Sequence, residues 1–144
     1  MALYDQISEM EMFRHFTEKE KTDFSSMSHS FQQYKKGDVI IKQGAMYKSL
    51  YLLIKGNVLI TKAGYNRAIA RLKPGALFGE MSFLTEKPRN TNVIAEEDIM
   101  LIRIDKNFFQ TMPYEIRDKI KDHLIELLVK RLEEMNDTLI KITL

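Results

Sequence analysis

Between Phe31 and Asp105 the chain is cut into apolar runs too short to build helices, and a glycine stands at almost every cut. The runs FQQYKKGDVIIKQG, SLYLLIKGNVLITKAG, RAIARLKPGALFG and TNVIAEEDIMLIRID are rich in Val, Ile, Leu and Tyr, with Gly37, Gly44, Gly56, Gly75 and Gly79 in or beside the breaks. Runs of this composition bounded by turn residues read as strands. Seven or eight of them at this spacing predict antiparallel pairs closed into a sandwich or barrel. Gly56-Asn57, between LYLLIK and VLITK, predicts a tight hairpin, because glycine accepts the positive φ that such a turn needs. Pro74-Gly75 predicts another turn.

The flanks have a different period. Thr17 followed by Glu20 is a capping-box pattern, in which hydroxyl and carboxylate each satisfy a free backbone N–H, and the helix it opens turns Phe24 and Met27 inward. Met10, Phe13 and Phe16 recur every three residues and dock a shorter segment on the core. After Lys106, Pro113 separates a short helical piece, DKNFFQTM, from a long one, YEIRDKIKDHLIELLVKRLEEMNDTLIKI. In the long piece Ile116, Ile120, Leu124 and Leu127 form a stripe suited to lying on the strands. Ile125, Leu128, Leu132, Met135, Leu139 and Ile142 follow a 3-4 alternation, the seam of a coiled coil, and point to a homodimer through this helix. The expected fold is therefore α+β: an eight-stranded antiparallel β-roll, jelly-roll-like, between helices. One domain spans 1–144, with N-terminal helices in 1–30, the roll in 31–105 and C-terminal helices in 106–144.

Composition narrows the chemistry. The chain has no cysteine, which excludes disulfides, thiol catalysis and thiolate metal sites. A net charge of +2 gives no electrostatic footprint for nucleic acid or a membrane surface. No stretch approaches the roughly 20 apolar residues of a membrane span. The start MALYDQISEMEMF is acidic and interrupted, unlike a secretion signal, so a cytoplasmic protein, or a cytoplasmic piece of a larger one, is expected. His15, His29 and His123 fall outside the strand runs, whereas a barrel metal enzyme needs inward-facing strand histidines. A non-enzymatic protein is expected.

The stretch Phe78 to Asp98, FGEMSFLTEKPRNTNVIAEED, breaks the strand pattern. Gly79 lets the backbone approach a ligand closely. The free N–H groups of the turn that follows, from Met81, Ser82 and Phe83, favour an anion. Arg89 can grip phosphate oxygens in bidentate fashion. Glu80 repels phosphate, so its fitting partner is a neutral donor such as a ribose hydroxyl. One phosphate beside one free ribose hydroxyl describes a compact nucleotide. The competing reading is a surface ion pair between Glu80 and Arg89, worth ~0–1 kcal/mol.

FGEMSFLTEKPRNTNV resembles the phosphate-binding cassette of cyclic-nucleotide-binding domains, here residues 78–93. KKGDVIIKQG, SLYLLIKGNVLI and LKPGALFGE resemble that family's strands and turns in order and spacing, over roughly Met10 to Met135. The resemblance implies a ligand site of Phe78, Gly79, Glu80, Met81, Ser82, Arg89, Asn90 and Thr91. In it Glu80 takes the ribose 2′-hydroxyl, Arg89 pairs the cyclic phosphate, and backbone N–H groups of Ser82 and Asn90 complete the cradle. Arg131 aligns with an arginine that some members lay over the purine, making the long C-terminal helix a lid, and Met135 is a further candidate to cap the base. No cofactor is implied. The expected ligand is cyclic AMP in preference to cyclic GMP, since Asn90 stands where a guanine-selective threonine hydroxyl would be, while its amide, able to donate or accept, leaves cyclic GMP open. The expected role is a regulatory sensor that signals to an unknown effector protein or attached domain, without direct DNA contact. A β-roll scaffold that has lost nucleotide binding is the alternative.

Overall fold

The computed structural model describes residues 2–143; the outermost positions 1 and 144 of the expected domain lie outside the described residues. Three short helical segments come first: α1 (Leu3–Ile7), a 3-10 turn (Glu11–Phe13) and α2 (Glu18–Ser25). The predicted capping box is formed, with the Glu20 N–H donating to Thr17 Oγ1 at 3.1 Å and the Thr17 N–H donating to Glu20 Oε1 at 2.8 Å. Eight strands follow: β1 (Ser30–Tyr34), β2 (Val39–Ile41), β3 (Leu50–Lys55), β4 (Val58–Thr61), β5 (Ala70–Leu72), β6 (Leu77–Phe78), β7 (Asn92–Ala95) and β8 (Ile99–Ile104). The helix α3 (Glu80–Thr85) interrupts them between β6 and β7, and α4 (Lys106–Thr111) and α5 (Tyr114–Thr143) close the described chain.

The strands form two four-stranded sheets, ordered β1-β8-β3-β6 and β2-β7-β4-β5, with antiparallel pairing throughout. Period-2 alternation sorts β3 and β8 between two cores. Leu50, Leu52 and Ile54 of β3, with Ile102 and Ile104 of β8, face a cluster that also contains Phe13, Phe24, Phe109, Ile116, Ile120 and Leu124 from the helices. Tyr51 and Leu53, with Ile99 and Leu101, face the second cluster between the sheets. A sheet covered on both faces leaves no polar side, which is why LYLLIK and IMLIRI are nearly continuous apolar runs.

The Gly56-Asn57 hairpin is not formed. β3 pairs with β6 and β8, while β4 pairs with β5 and β7, so the two strands joined by this turn belong to opposite sheets. Gly56 is needed for another reason: at φ +76° a Cβ would lie 2.5 Å from the Asp98 carbonyl oxygen. The turn is a corner over which the chain changes sheet.

α4 is capped by Asp105, whose Oδ1 accepts from the Phe108 N–H at 2.8 Å. In α5 the stripe of Ile116, Ile120 and Leu124 is buried as expected, and Leu127 packs partly against it. The seam residues Ile125, Leu132, Met135, Leu139 and Ile142 are exposed. From Leu132 to Thr143 every residue of the helix is exposed. No helix among the described residues is long and apolar enough to cross a membrane.

Candidate functional site

Phe78 closes β6 within the inter-sheet core, its ring stacked on Tyr51 at 5.3 Å between centroids. Gly79 then turns the chain into α3 with φ +81°, where a Cβ would lie 2.9 Å from the Ser49 carbonyl oxygen and 3.0 Å from Arg89 Nη1. The position demands glycine by conformation and by space alike. The space is used by Arg89, whose Nη1 donates to the Gly79 carbonyl at 2.8 Å and whose Nη2 donates to the Ser49 carbonyl at 2.6 Å.

The loop between β2 and β3 carries Arg89 by its main chain too. The Gly44 N–H donates to the Arg89 carbonyl at 2.8 Å, and the Arg89 N–H donates to the Ala45 carbonyl at 2.9 Å. The Gln43 N–H reaches Asn92 Oδ1 at 2.8 Å and extends the seam to the start of β7. Arg89 is 4% exposed. Among the described residues no carboxylate forms an ion pair with it, and its buried Nε has no hydrogen-bond partner. Burial pushes the guanidinium pKa down, yet arginine stays protonated in proteins. The site therefore contains a buried cation balanced by carbonyl dipoles and aromatic faces. Burial also pushes the neighbouring Tyr51 hydroxyl up to about 12, so it stays neutral.

Glu80 is the first residue of α3 and is 4% exposed. It pairs with Arg131 of α5 through Oε1 and Nη1. The competing reading, a surface ion pair between Glu80 and Arg89, is not what forms: both side chains are buried and each has other partners. The set of free amides differs by one position from the sequence expectation. Phe83 donates its N–H to the Gly79 carbonyl at 3.3 Å, so the amides ahead of the first helical bond are those of Glu80, Met81 and Ser82.

Phe78, Gly79, Glu80, Met81, Ser82, Arg89, Asn90, Thr91 and Arg131 all line one cavity of about 480 Å³. That is within the range of small-molecule sites. Its apolar wall comes from Ile41, Ile60, Ile69, Ala70, Leu72 and Val93, and Glu134 stands at its rim. Sequence reasoning missed these residues because strand positions that line a cavity look like any other core positions. Glu134 was within reach, being one helical turn beyond Arg131. Met135 is 61% exposed and lines an open groove with Thr138 and Leu139 rather than the cavity, against its role as a cap. His15 and His123 both line a separate cavity between the N-terminal segment and α5, but among the described residues no three His, Asp or Glu side chains gather to hold a metal ion.

The family described as "Cyclic nucleotide-binding domain" matches residues 31–113. The chain is similar to the cyclic AMP receptor protein of Thermus thermophilus, 31% identical over 118 residues covering 80% of this chain and 54% of the relative. It is also similar to human cGMP-dependent protein kinase 2, 35% identical over 83 residues covering 54% of this chain and 11% of the kinase. The crystal structure of the Thermus thermophilus catabolite activator protein superposes with a TM-score of 0.79 at 30% identity, covering 92% of this chain and 62% of the other. The chain thus spans about half the length of the first of these relatives and far less of the kinase.

Proposed function

The chain belongs to the cyclic nucleotide-binding domain family, and from that premise we propose that it is a non-catalytic sensor that binds cyclic AMP in its β-roll. The observation that carries the reading is the cavity itself, where a buried carboxylate and a buried guanidinium, Glu80 and Arg89, line one space with the free amides of α3. An anion fits beside Arg89, the amide of Ser82 and the start of the Asn90–Thr91 segment. A sugar hydroxyl fits Glu80 as acceptor. The purine then rests on the apolar wall of Ile41, Ile60, Leu72 and Val93 under Arg131 of α5, which is the lid.

Because Arg131 pairs with Glu80, the helix and the sugar-binding acid are one unit. A ligand hydroxyl on Glu80 redistributes that pair, and the position of α5 responds. The effector reached by α5 is a partner protein or an attached domain, and the exposed seam is a surface for a second copy of the chain. The domain acts as one unit over 1–144, in the cytoplasm.

Titration calorimetry with cyclic AMP and cyclic GMP side by side tests the assignment. Binding of cyclic AMP, abolished or strongly weakened by Arg89→Ala, is expected. No heat and no thermal shift with either ligand would leave a β-roll scaffold without nucleotide binding. One observation favours cyclic GMP as a second reading: the carboxylate of Glu134 at the rim. Guanine presents two adjacent donors, N1–H and the 2-amino group, to such a carboxylate, whereas adenine presents a single amino group. Glu134→Ala should then weaken cyclic GMP selectively.

A further inference from the structure

We infer that Tyr47 is a positioning residue for the anion-binding guanidinium, a role that rests on the nucleotide-site reading above and extends it to a side chain outside the cavity wall. Arg89 Cζ lies 5.1 Å from the centroid of the Tyr47 ring and 5.9 Å from that of Tyr51. Both are within the range of cation–π attraction. Tyr51 is fixed as a core residue, 3% exposed and stacked on Phe78. Tyr47 is 43% exposed, so burial does not hold its ring in place. Its hydroxyl does: it donates to the Ile40 carbonyl at 3.0 Å and accepts from the Lys42 N–H at 2.9 Å.

Those two backbone groups flank Ile41, at the point where the β2–β7 register shifts between Val39 and Ile41. Tyr47 therefore closes a chain of contacts from a cavity-wall strand, through its hydroxyl and ring, to the guanidinium. The Ser49 and Gly79 carbonyls fix two nitrogens of Arg89, and the two aromatic rings lie within cation–π reach of its central carbon. The guanidinium is held without a carboxylate among the described residues, so no resident anion has to be displaced before a phosphate approaches. Nη1 and Nη2 each donate to one carbonyl, and a guanidinium carries two N–H groups on each of them, so each keeps a second N–H for it.

The test compares Tyr47→Phe, Tyr47→Leu and Tyr47→Gln for affinity toward cyclic AMP and cyclic GMP, with thermal melts alongside. Phe keeps the ring, Gln keeps polar atoms for the β2 backbone without a ring, and Leu keeps neither. Loss of one cation–π contact predicts a weakening of roughly threefold to tenfold in Tyr47→Leu and Tyr47→Gln, and a smaller weakening in Tyr47→Phe, which keeps the ring but frees it from its hydroxyl anchor. The same substitutions in an Arg89→Lys background should have less than about a twofold effect, since the planar cation they orient is gone. Equal weakening in both backgrounds, or no weakening in Tyr47→Leu and Tyr47→Gln, would reduce Tyr47 to a brace for β2 and overturn the inference. If Tyr47→Leu fails to fold, the Gln and Phe variants carry the comparison. Absence of cyclic-nucleotide binding by the unmodified protein refutes the site reading instead, and the two failures are distinct.

Discussion

Gly79 joins conformation, packing and ligand chemistry at one residue. Gly79→Ala forces a Cβ against the Ser49 carbonyl and Arg89 Nη1, so it should displace the guanidinium and weaken cyclic-nucleotide binding at least tenfold by calorimetry, with a lower melting temperature. Glu80→Ala removes the acceptor proposed for a sugar hydroxyl and leaves Arg131 without its carboxylate. Because Arg131 is 40% exposed, the stability cost should be about 1 kcal/mol, well under the 3–5 kcal/mol of a fully buried broken pair, while affinity falls much further. His29 and His123 give a pH signature. Burial lowers both pKa values below the ordinary 6.5, so the unfolded chain takes up protons first. Stability is complete above about pH 6.5 and declines as the pH falls from there toward the lowered values. Melts at pH 7.5 and 5.5 should show the drop, and His123→Gln should reduce it. Glu80 and Arg89 were legible in the sequence because a ten-residue segment carries both. Tyr47, Ser49 and the Arg131 pair were not, since their contacts join residues about 40 to 50 positions apart that only the folded sheets bring together.

Among the elements, the corner at Gly56 marks where local reasoning fails. A glycine–asparagine turn between two apolar runs has the composition of a hairpin, but which sheet a strand joins is decided by pairing with β6, β7 and β8 far along the chain. The element types were legible from their periods, and so was the Thr17–Glu20 cap. Thr17→Ala should cost about 1 kcal/mol by removing a formed capping box, measurable by denaturant unfolding. Glu86 ends α3 with φ +61°, a left-handed position that a side chain resists. Glu86→Gly should be neutral to stabilising by up to about 1 kcal/mol. The seam on α5 was also readable, as a 3-4 alternation distinct from the buried stripe. Leu132 and Leu139 are 58% and 59% exposed. If a second copy covers them, sedimentation should give a dimer for the unmodified chain and a monomer for the Leu132→Glu, Leu139→Glu double variant.

For the molecule as a whole, β3 and β8 tie the two cores together, so truncation in either strand weakens both the helical layer and the site. Leu52→Ala, at a position with 0% exposure, should cost about 2–5 kcal/mol. Ligand at a hundredfold excess over Kd should restore about 2.7 kcal/mol, a rise of several degrees in Tm, provided the site still assembles. The architecture was readable in advance because strand periodicity and helix periodicity alternate cleanly along the chain; the sheet assignment of each strand was not, since pairing is a property of distant partners. The bare far end of α5 has a mechanical consequence. From Leu124, the last fully buried residue of the helix, to Thr143 is about 29 Å at 1.5 Å per residue, and a tilt of about 10° at the anchored end sweeps the tip through about 5 Å. A displacement too small to disturb the roll becomes, at the end of that lever, a stroke close to one helical turn.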